Sequence, residues 1–313
     1  MIKLIKWVIF EIKKGFTSLK IGIIANTRKK LFWKKLPDIL KWSNKSNVQI
    51  IFSKQIMENA PTSLKKYPSK STKELPEYCD MIFAFGGDGT ILNTAQNVGD
   101  KQTPILGINI GGLGFLTEVP LPKCESVFNQ ILEGKYEIEE RAMLKAIVDG
   151  DPVPLYALND IVIDRGKYIR VIEIKIDVNK KYLNTYIADG LLISTPTGST
   201  GYSLSSGGPI TVPSSQVLII NPISPHSLTN RPVIIPDTSV VEATVSSEYH
   251  EITVASDGMD ARYYKTGAHL VIEKAPFSTR LVKPIGSDFF ALLRNKLNWG
   301  EDFRKKNRRG QES

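Results

Sequence analysis

The chain has 313 residues, 42% hydrophobic and 23% charged, with 23 Gly and 18 Pro, the mixture of a folded protein and not of a disordered tail or a collagen-like fibre. No apolar run reaches the ~20 residues of a membrane-spanning helix, because Lys, Asn, Asp or Gly interrupts each one. The formal charge of +9 is uneven: Met1 to Leu75 holds 17 Lys and Arg against 4 Asp and Glu, a field that attracts nucleotides, nucleic acid or acidic lipid, or is simply a solvated surface.

The length suits two domains. Residues 1–18 carry Ile2, Ile5, Ile9, Ile12 and Phe16 at helical spacing with lysines mostly elsewhere around the wheel, a short basic amphipathic extension that fits neither a secretory signal nor a transit peptide. Packing on this protein or on a second copy is the expected role, with contact to an anionic membrane the alternative. Residues 19–141 alternate continuous apolar runs (IGIIAN, MIFAF, PILGINI) with helix-like segments at 31–42, 91–98 and 124–133, which predicts an α/β domain with a parallel sheet. From 142 to 284 the texture becomes β-branched, with strand-like segments MLKAIV, IVID, IRVIEIKIDV, TYIADGLLIST, QVLIINPI, EITVAS and HLVIEK separated by turn signals; the expectation is a β-rich, sandwich-like domain. Residues 285–300 predict a helix returning to the first domain, and 301–313 a basic, disordered tail. Cys79 and Cys124 lie far apart without a CxxC, supporting neither a disulfide framework nor a zinc site and pointing to a reducing cytoplasm.

Three segments carry chemistry. In Phe85-Gly86-Gly87-Asp88-Gly89-Thr90 a strand runs into a helix, where glycine backbone and a helix N-terminus suit a polyphosphate. Asp88 in that corner is a candidate general base or divalent-ion contact; the plainer reading is a helix cap by Asp88 or Thr90. A second glycine loop, Asn109 to Phe115, also follows an apolar strand, so both loops are expected to face one crevice. Neither matches a Walker A or a full dinucleotide-binding fingerprint. The third segment, Asp189-Gly190 through Ser194-Thr195-Pro196-Thr197-Gly198-Ser199-Thr200-Gly201-Tyr202-Ser203, offers hydroxyls and amides to a nucleoside and a tyrosine face to adenine.

In this order and spacing, GGDGT, Asn109 to Phe115, Asn159-Asp160, DG…STPTGSTGY and Asp257-Gly258 resemble the ATP-dependent NAD kinases over nearly all of residues 20–299. The resemblance implies ATP as donor with Mg²⁺ or another divalent ion, NAD as acceptor phosphorylated at the 2′-hydroxyl of its adenosine ribose, and a homodimer or homotetramer. It implies Asp88 as the base, Gly87, Gly89 and Thr90 cradling phosphates, Asn159 and Asp160 on ribose hydroxyls, and Phe115 lining the adenine pocket. Thr200, Gly201, Tyr202 and Ser203 would contact the adenosine, and Asp189 the nicotinamide end. Asp88→Asn is expected to leave the fold and NAD binding largely intact while lowering turnover at least ~10²-fold.

Four positions depart from the family pattern: Gly201 for Ala, Asp160 for Glu, Met259 for Gln, and Ile187 where many relatives carry Arg, so that a charge contact to substrate phosphate is either missing or supplied by Arg170. The rivals are a lipid kinase sharing the GGDGT motif and, last, a nucleic-acid-binding protein, for which no recognition helix or aromatic RNA-binding motif is visible.

Overall fold

The computed structural model describes residues 18–112, 114–249 and 251–299. The basic amphipathic extension, apart from residue 18, and the basic tail lie outside the described residues. The first part of the chain runs β1 (Lys20–Ala25), α1 (Lys30–Lys45), β2 (Gln49–Ser53), α2 (Lys54–Glu58), β3 (Ser69–Lys70), β4 (Met81–Gly86), α3 (Asp88–Val98), β5 (Ile105–Asn109), β6 (Val119–Pro120) and α4 (Cys124–Leu132). Strands β5-β4-β1-β2-β3 lie side by side in that order, all parallel.

Their continuous apolar runs follow from cover on both faces. Along β4, Met81, Phe83 and Phe85 pack with Phe32, Leu36 and Trp42 of α1 and Phe128 of α4. The alternate residues Ile82 and Ala84 pack with Ile91, Leu92, Ala95 and Val98 of α3. The chain leaves β1 in one direction for β2 and β3 and in the other for β4 and β5, so the order reverses beside β4, where a crevice opens at the carboxyl ends of an α/β sheet. The GGDGT segment stands there.

The second part contains β7 (Tyr136–Val148), β8 (Leu155–Ala157), β9 (Asp160–Asp164), β10 (Ile172–Val178), β11 (Lys181–Ala188), β12 (Gly190–Ser194), the short α5 (Tyr202–Ser205), β13 (Val217–Ile223), β14 (Val233–Pro236), β15 (Val241–Ser246), β16 (Glu251–Ser256), β17 (Asp260–Lys265), β18 (Ala268–Pro284) and α6 (Phe289–Leu297). Among the described residues, six strands form one sheet in the order β14-β13-β12-β9-β16-β17. Facing it are β10, β15, β18 and β7, and one apolar core from Leu144 to Ile272 fills the space between. The segment TYIADGLLIST divides at Asp189 into β11 and β12, which lie in different sheets.

The two parts share a sheet. The 17-residue β18 pairs with β15 through Ala268–Ile272, with β7 along most of its length, and in parallel with β5 at Leu281↔Ile105. Residues 141 and 142, the expected junction, lie inside β7. Asp288 caps α6 by accepting from the Phe290 N–H at 2.8 Å, and Lys296 Nζ lies 5.3 Å from the centre of the Phe115 ring, so the final helix returns to the α/β part.

Candidate active site between the two glycine loops and the β9 corner

Asp88 is the first residue of α3, after Gly87 at the N-cap position, and no side chain caps the helix. Its carboxylate turns away from its own helix to the second glycine loop. Oδ2 accepts from the Phe115 N–H at 2.7 Å; Oδ1 accepts from the N–H groups of Leu116 at 3.0 Å and Thr117 at 3.1 Å and from the Thr117 hydroxyl at 3.2 Å. A carboxylate offers about four lone-pair sites, so Oδ2 alone keeps room for a further donor. Gly114 permits this approach, because a Cβ there would overlap Asp88 Oδ1 and Thr117 Oγ1. Asn109 closes the loop, donating from Nδ2 to the Gly112 carbonyl at 2.7 Å and to Thr117 Oγ1 at 3.0 Å while Oδ1 accepts from the Gly111 N–H at 2.7 Å.

At Gly87, Gly89, Gly111 and Gly112 a Cβ would meet nothing within 4 Å. Here the backbone lies open beside an uncapped helix N-terminus, the arrangement that suits an anion. Thr90 differs: its side chain folds against Gly86, and it contributes to the corner through the turn closed by its N–H to the Gly87 carbonyl at 2.9 Å.

Across the crevice, Asp257 gathers the start of β9. Its carboxylate accepts from the N–H groups of Leu158 at 2.9 Å, Asn159 at 2.7 Å and Asp160 at 3.2 Å. Gln96, on the helix that carries Asp88, adds a donor at 3.3 Å. Burial pushes the Asp257 carboxyl above its usual range, against the pull of these donors.

Asp160 is 4% exposed; burial, reinforced by the charge of Asp257, pushes its carboxyl up to about 7. Beside it Asn159 Oδ1 is buried without a donor. A buried acceptor left open costs roughly 1–3 kcal/mol, and a sugar hydroxyl has the chemistry to fill it.

The hydroxyl-rich segment wraps this corner. Thr195 donates from its N–H to the Asn159 carbonyl at 2.8 Å and from its hydroxyl to the Leu158 carbonyl at 2.6 Å. Gly198 is needed because a Cβ would overlap the Asn159 carbonyl, and one at Gly201 would sit 3.1 Å from Asn159 Nδ2. Glycine in place of the family's alanine thus gives the Asn159 amide its room. Thr200 donates to the Thr197 carbonyl at 3.2 Å, locking the turn. Tyr202 presents a ring 45% exposed, its hydroxyl held above the ordinary range by burial and by the charges of Asp164, Asp160 and Asp189.

Two expected residues are elsewhere. Ser203 is fully buried; its carbonyl accepts from Asn221 at 3.0 Å and from the Gly208 N–H at 2.8 Å, so it braces the following turn and does not face the crevice. Arg170 is exposed and paired with Glu248. The guanidinium at Asp189 belongs to Arg165, with Nε 3.3 Å from Oδ1, because pairing of Gly190 with Asp164 places residues 189 and 165 side by side. Sequence reasoning missed Arg165, Thr117, Gln96 and the grip of Asp257. Asp257 and Gly258 both have positive φ, 51° and 67°, and read locally as a hairpin turn. Among the described residues no group of three or more His, Cys, Asp or Glu converges as a metal cage.

With this geometry in view, two family models match the chain: the ATP-NAD kinase N-terminal domain over residues 21–136 and the ATP-NAD kinase C-terminal domain over residues 158–284. The NAD kinase of Geotalea daltonii is 43% identical over 235 residues, 73% of this chain and 81% of that protein; that of Desulforamulus reducens is 35% identical over 282 residues, 88% and 96%. Among solved structures, an Archaeoglobus fulgidus NAD kinase in complex with ATP superposes with a TM-score of 0.73 at 25% identity, covering 90% of this chain and 99% of that one. Yeast NADH kinase complexed with NADH gives a TM-score of 0.82 at 22% identity, covering 91% and 89%, a likeness of fold.

Proposed function

The chain belongs to the NAD kinase family, and from that premise we propose that it transfers the γ-phosphoryl group of ATP to the 2′-hydroxyl of the adenosine ribose of NAD, giving NADP. The observation that carries this reading is a fixed carboxylate at an open glycine corner, Asp88 at the start of α3, together with a buried, donor-seeking acceptor, Asn159 Oδ1, on the β9 corner that Asp257 ties to the same helix through Gln96.

In this scheme Oδ2 of Asp88 takes the hydroxyl proton. The N–H groups of Phe115, Leu116 and Thr117 preset the carboxylate, so little reorientation remains at the moment of transfer. The open backbone of Gly87 and Gly89, at the positive end of α3, receives the donor's phosphates. Asn159 and Asp160 hold the ribose, Thr200, Gly201 and Tyr202 the adenosine, and Asp189, oriented by Arg165, the nicotinamide end. Phe115 lines the adenine pocket. A divalent ion such as Mg²⁺ comes with the substrate on phosphate oxygens and spreads the charge of the transferred group.

Residues 19–141 are then the nucleotide-binding part, which supplies the base and the phosphate corner, and 142–284 the substrate and oligomerisation part. A homodimer or homotetramer is favoured by the large apolar side chains exposed near two sheet edges, Tyr182 and Ile187 on β11 and Ile234 on β14; light scattering of the purified protein tests it. No helix among the described residues is long and apolar enough to cross a membrane. Two free cysteines favour a reducing compartment, the cytoplasm.

The deciding experiment supplies purified protein with ATP, Mg²⁺ and NAD, NADH or diacylglycerol in parallel. A 2′-phosphorylated dinucleotide supports the reading; labelled lipid without it refutes the reading in favour of a lipid kinase.

A further inference from the structure

Four charged side chains meet at the junction of the two parts, outside the site described above. Arg141 on β7 is 4% exposed and Lys283 on β18 is 7% exposed. Arg141 Nη2 donates to Glu139 at 2.7 Å and Nη1 to the Thr197 hydroxyl at 3.3 Å, while its Nε is buried without an acceptor. Lys283 lies 3.3 Å from Glu139 and forms a close ion pair with Glu118. Two cations thus balance two carboxylates.

Burying such a set adds little to stability compared with well-packed apolar side chains, whereas removing one member leaves an uncompensated charge. The set therefore has its use in what it connects. Glu118 follows Thr117, which supplies two of the donors that hold Asp88. Thr197 lies in the TPTGSTG turn, whose next residues pack on Asn159. Burial, the largest single influence, raises the Glu139 carboxyl, but Arg141 and Lys283 together outweigh it and hold the group below its usual range.

We propose that Arg141 is a positioning residue that ties the acceptor-binding turn 195–201 to the loop holding Asp88, acting through Thr197 on one side and through Glu139, Lys283 and Glu118 on the other, without touching substrate. Its planar fork is suited to this because it spans two acceptors at once, which a lysine ammonium on a flexible stem does not. The inference rests on the kinase reading for its kinetic test and stands apart from it for its structural one.

Arg141→Lys keeps the charge beside Glu139, and Thr197→Val removes only the hydroxyl. Each is expected to raise KM for NAD about 10-fold, the effect of losing about 1.4 kcal/mol of positioning, with KM for ATP unchanged and the double variant no worse than the more affected single one. Hydrogen exchange of the full chain reads the same link without activity: amides of 195–201 should exchange about 10-fold faster in both variants. Wild-type exchange in that turn overturns the proposal, whatever the melting temperature, as does equal loss toward NAD and ATP or additivity in the double variant. Absence of NADP formation by the wild-type protein would instead count against the kinase reading and leave the exchange test decisive here.

Discussion

Asp160→Asn is the perturbation whose sign the site geometry sets most sharply. In the native protein the Asp160 carboxyl is held at about 7 by burial and by Asp257, against an ordinary value of 3.8. Between those two pH values the folded state keeps a proton that the unfolded chain has released, so stability falls as pH rises through this window and is level above it. At about 1.36 kcal/mol per pH unit, the ionised group lowers stability at pH 8 by on the order of 4 kcal/mol. Asparagine has nearly the same shape and no proton to lose. The variant should therefore match the wild type near pH 4 and exceed it by up to that amount at pH 8, while its capacity to make NADP drops. Urea unfolding of both proteins at pH 5 and pH 8 provides the assay, with the wild-type minus variant difference cancelling the titrating groups that do not sense Asp160 and leaving Asp160 with its coupled neighbour Asp257. A difference that is the same at both pH values would refute the reasoning.

Three further outcomes follow from the same geometry. Asp88→Asn should lower kcat at least ~10²-fold, and because one amide N–H of the second loop would then face the asparagine NH₂, thermal unfolding should also show a loss of about 1–3 kcal/mol in a protein that still folds. Gly114→Ala forces a methyl against Asp88 Oδ1 and should reduce turnover about as severely as Asp88→Asn, measured by NADP formation, although residue 114 contacts no substrate in the scheme. Asp257→Ala strips the acceptor from three partly buried amides at 158–160, with an expected loss of about 3 kcal/mol in denaturant unfolding.

The parts of this fold legible in the sequence are those set by local pattern. IGIIAN, MIFAF and PILGINI were readable as strands covered on both faces because all but Asn26 and Asn109 are apolar or glycine, and the helix at 91–98 because Ile91, Leu92, Ala95 and Val98 share a face. The start of β7 was not readable. Its residues Glu137, Glu139, Glu140 and Arg141 look like a solvated stretch, and they form a strand because β18 brings Lys283 and Arg280 to them from about 140 positions away. β17, with Arg262 and Tyr264 tied to Asp151, was hidden in the same way. In the site, residue types were legible and directions were not. Asp88 is held by amides 27 to 29 positions later, and the pairing of Arg165 with Asp189 depends on the register of β9 with β12.

The long strand common to both parts has a mechanical consequence. At about 3.3 Å per residue its 17 residues extend some 55 Å, a beam that the two halves hold jointly, its ladder paired with β7 along most of its length through a register shift between Lys274 and Ser278, with β15 at residues 268–272 and with β5 at Leu281. Swinging the halves apart as rigid bodies would break that ladder. Nucleotides must therefore enter and leave by local movement of the glycine loops and the hydroxyl-rich turn over a stationary frame.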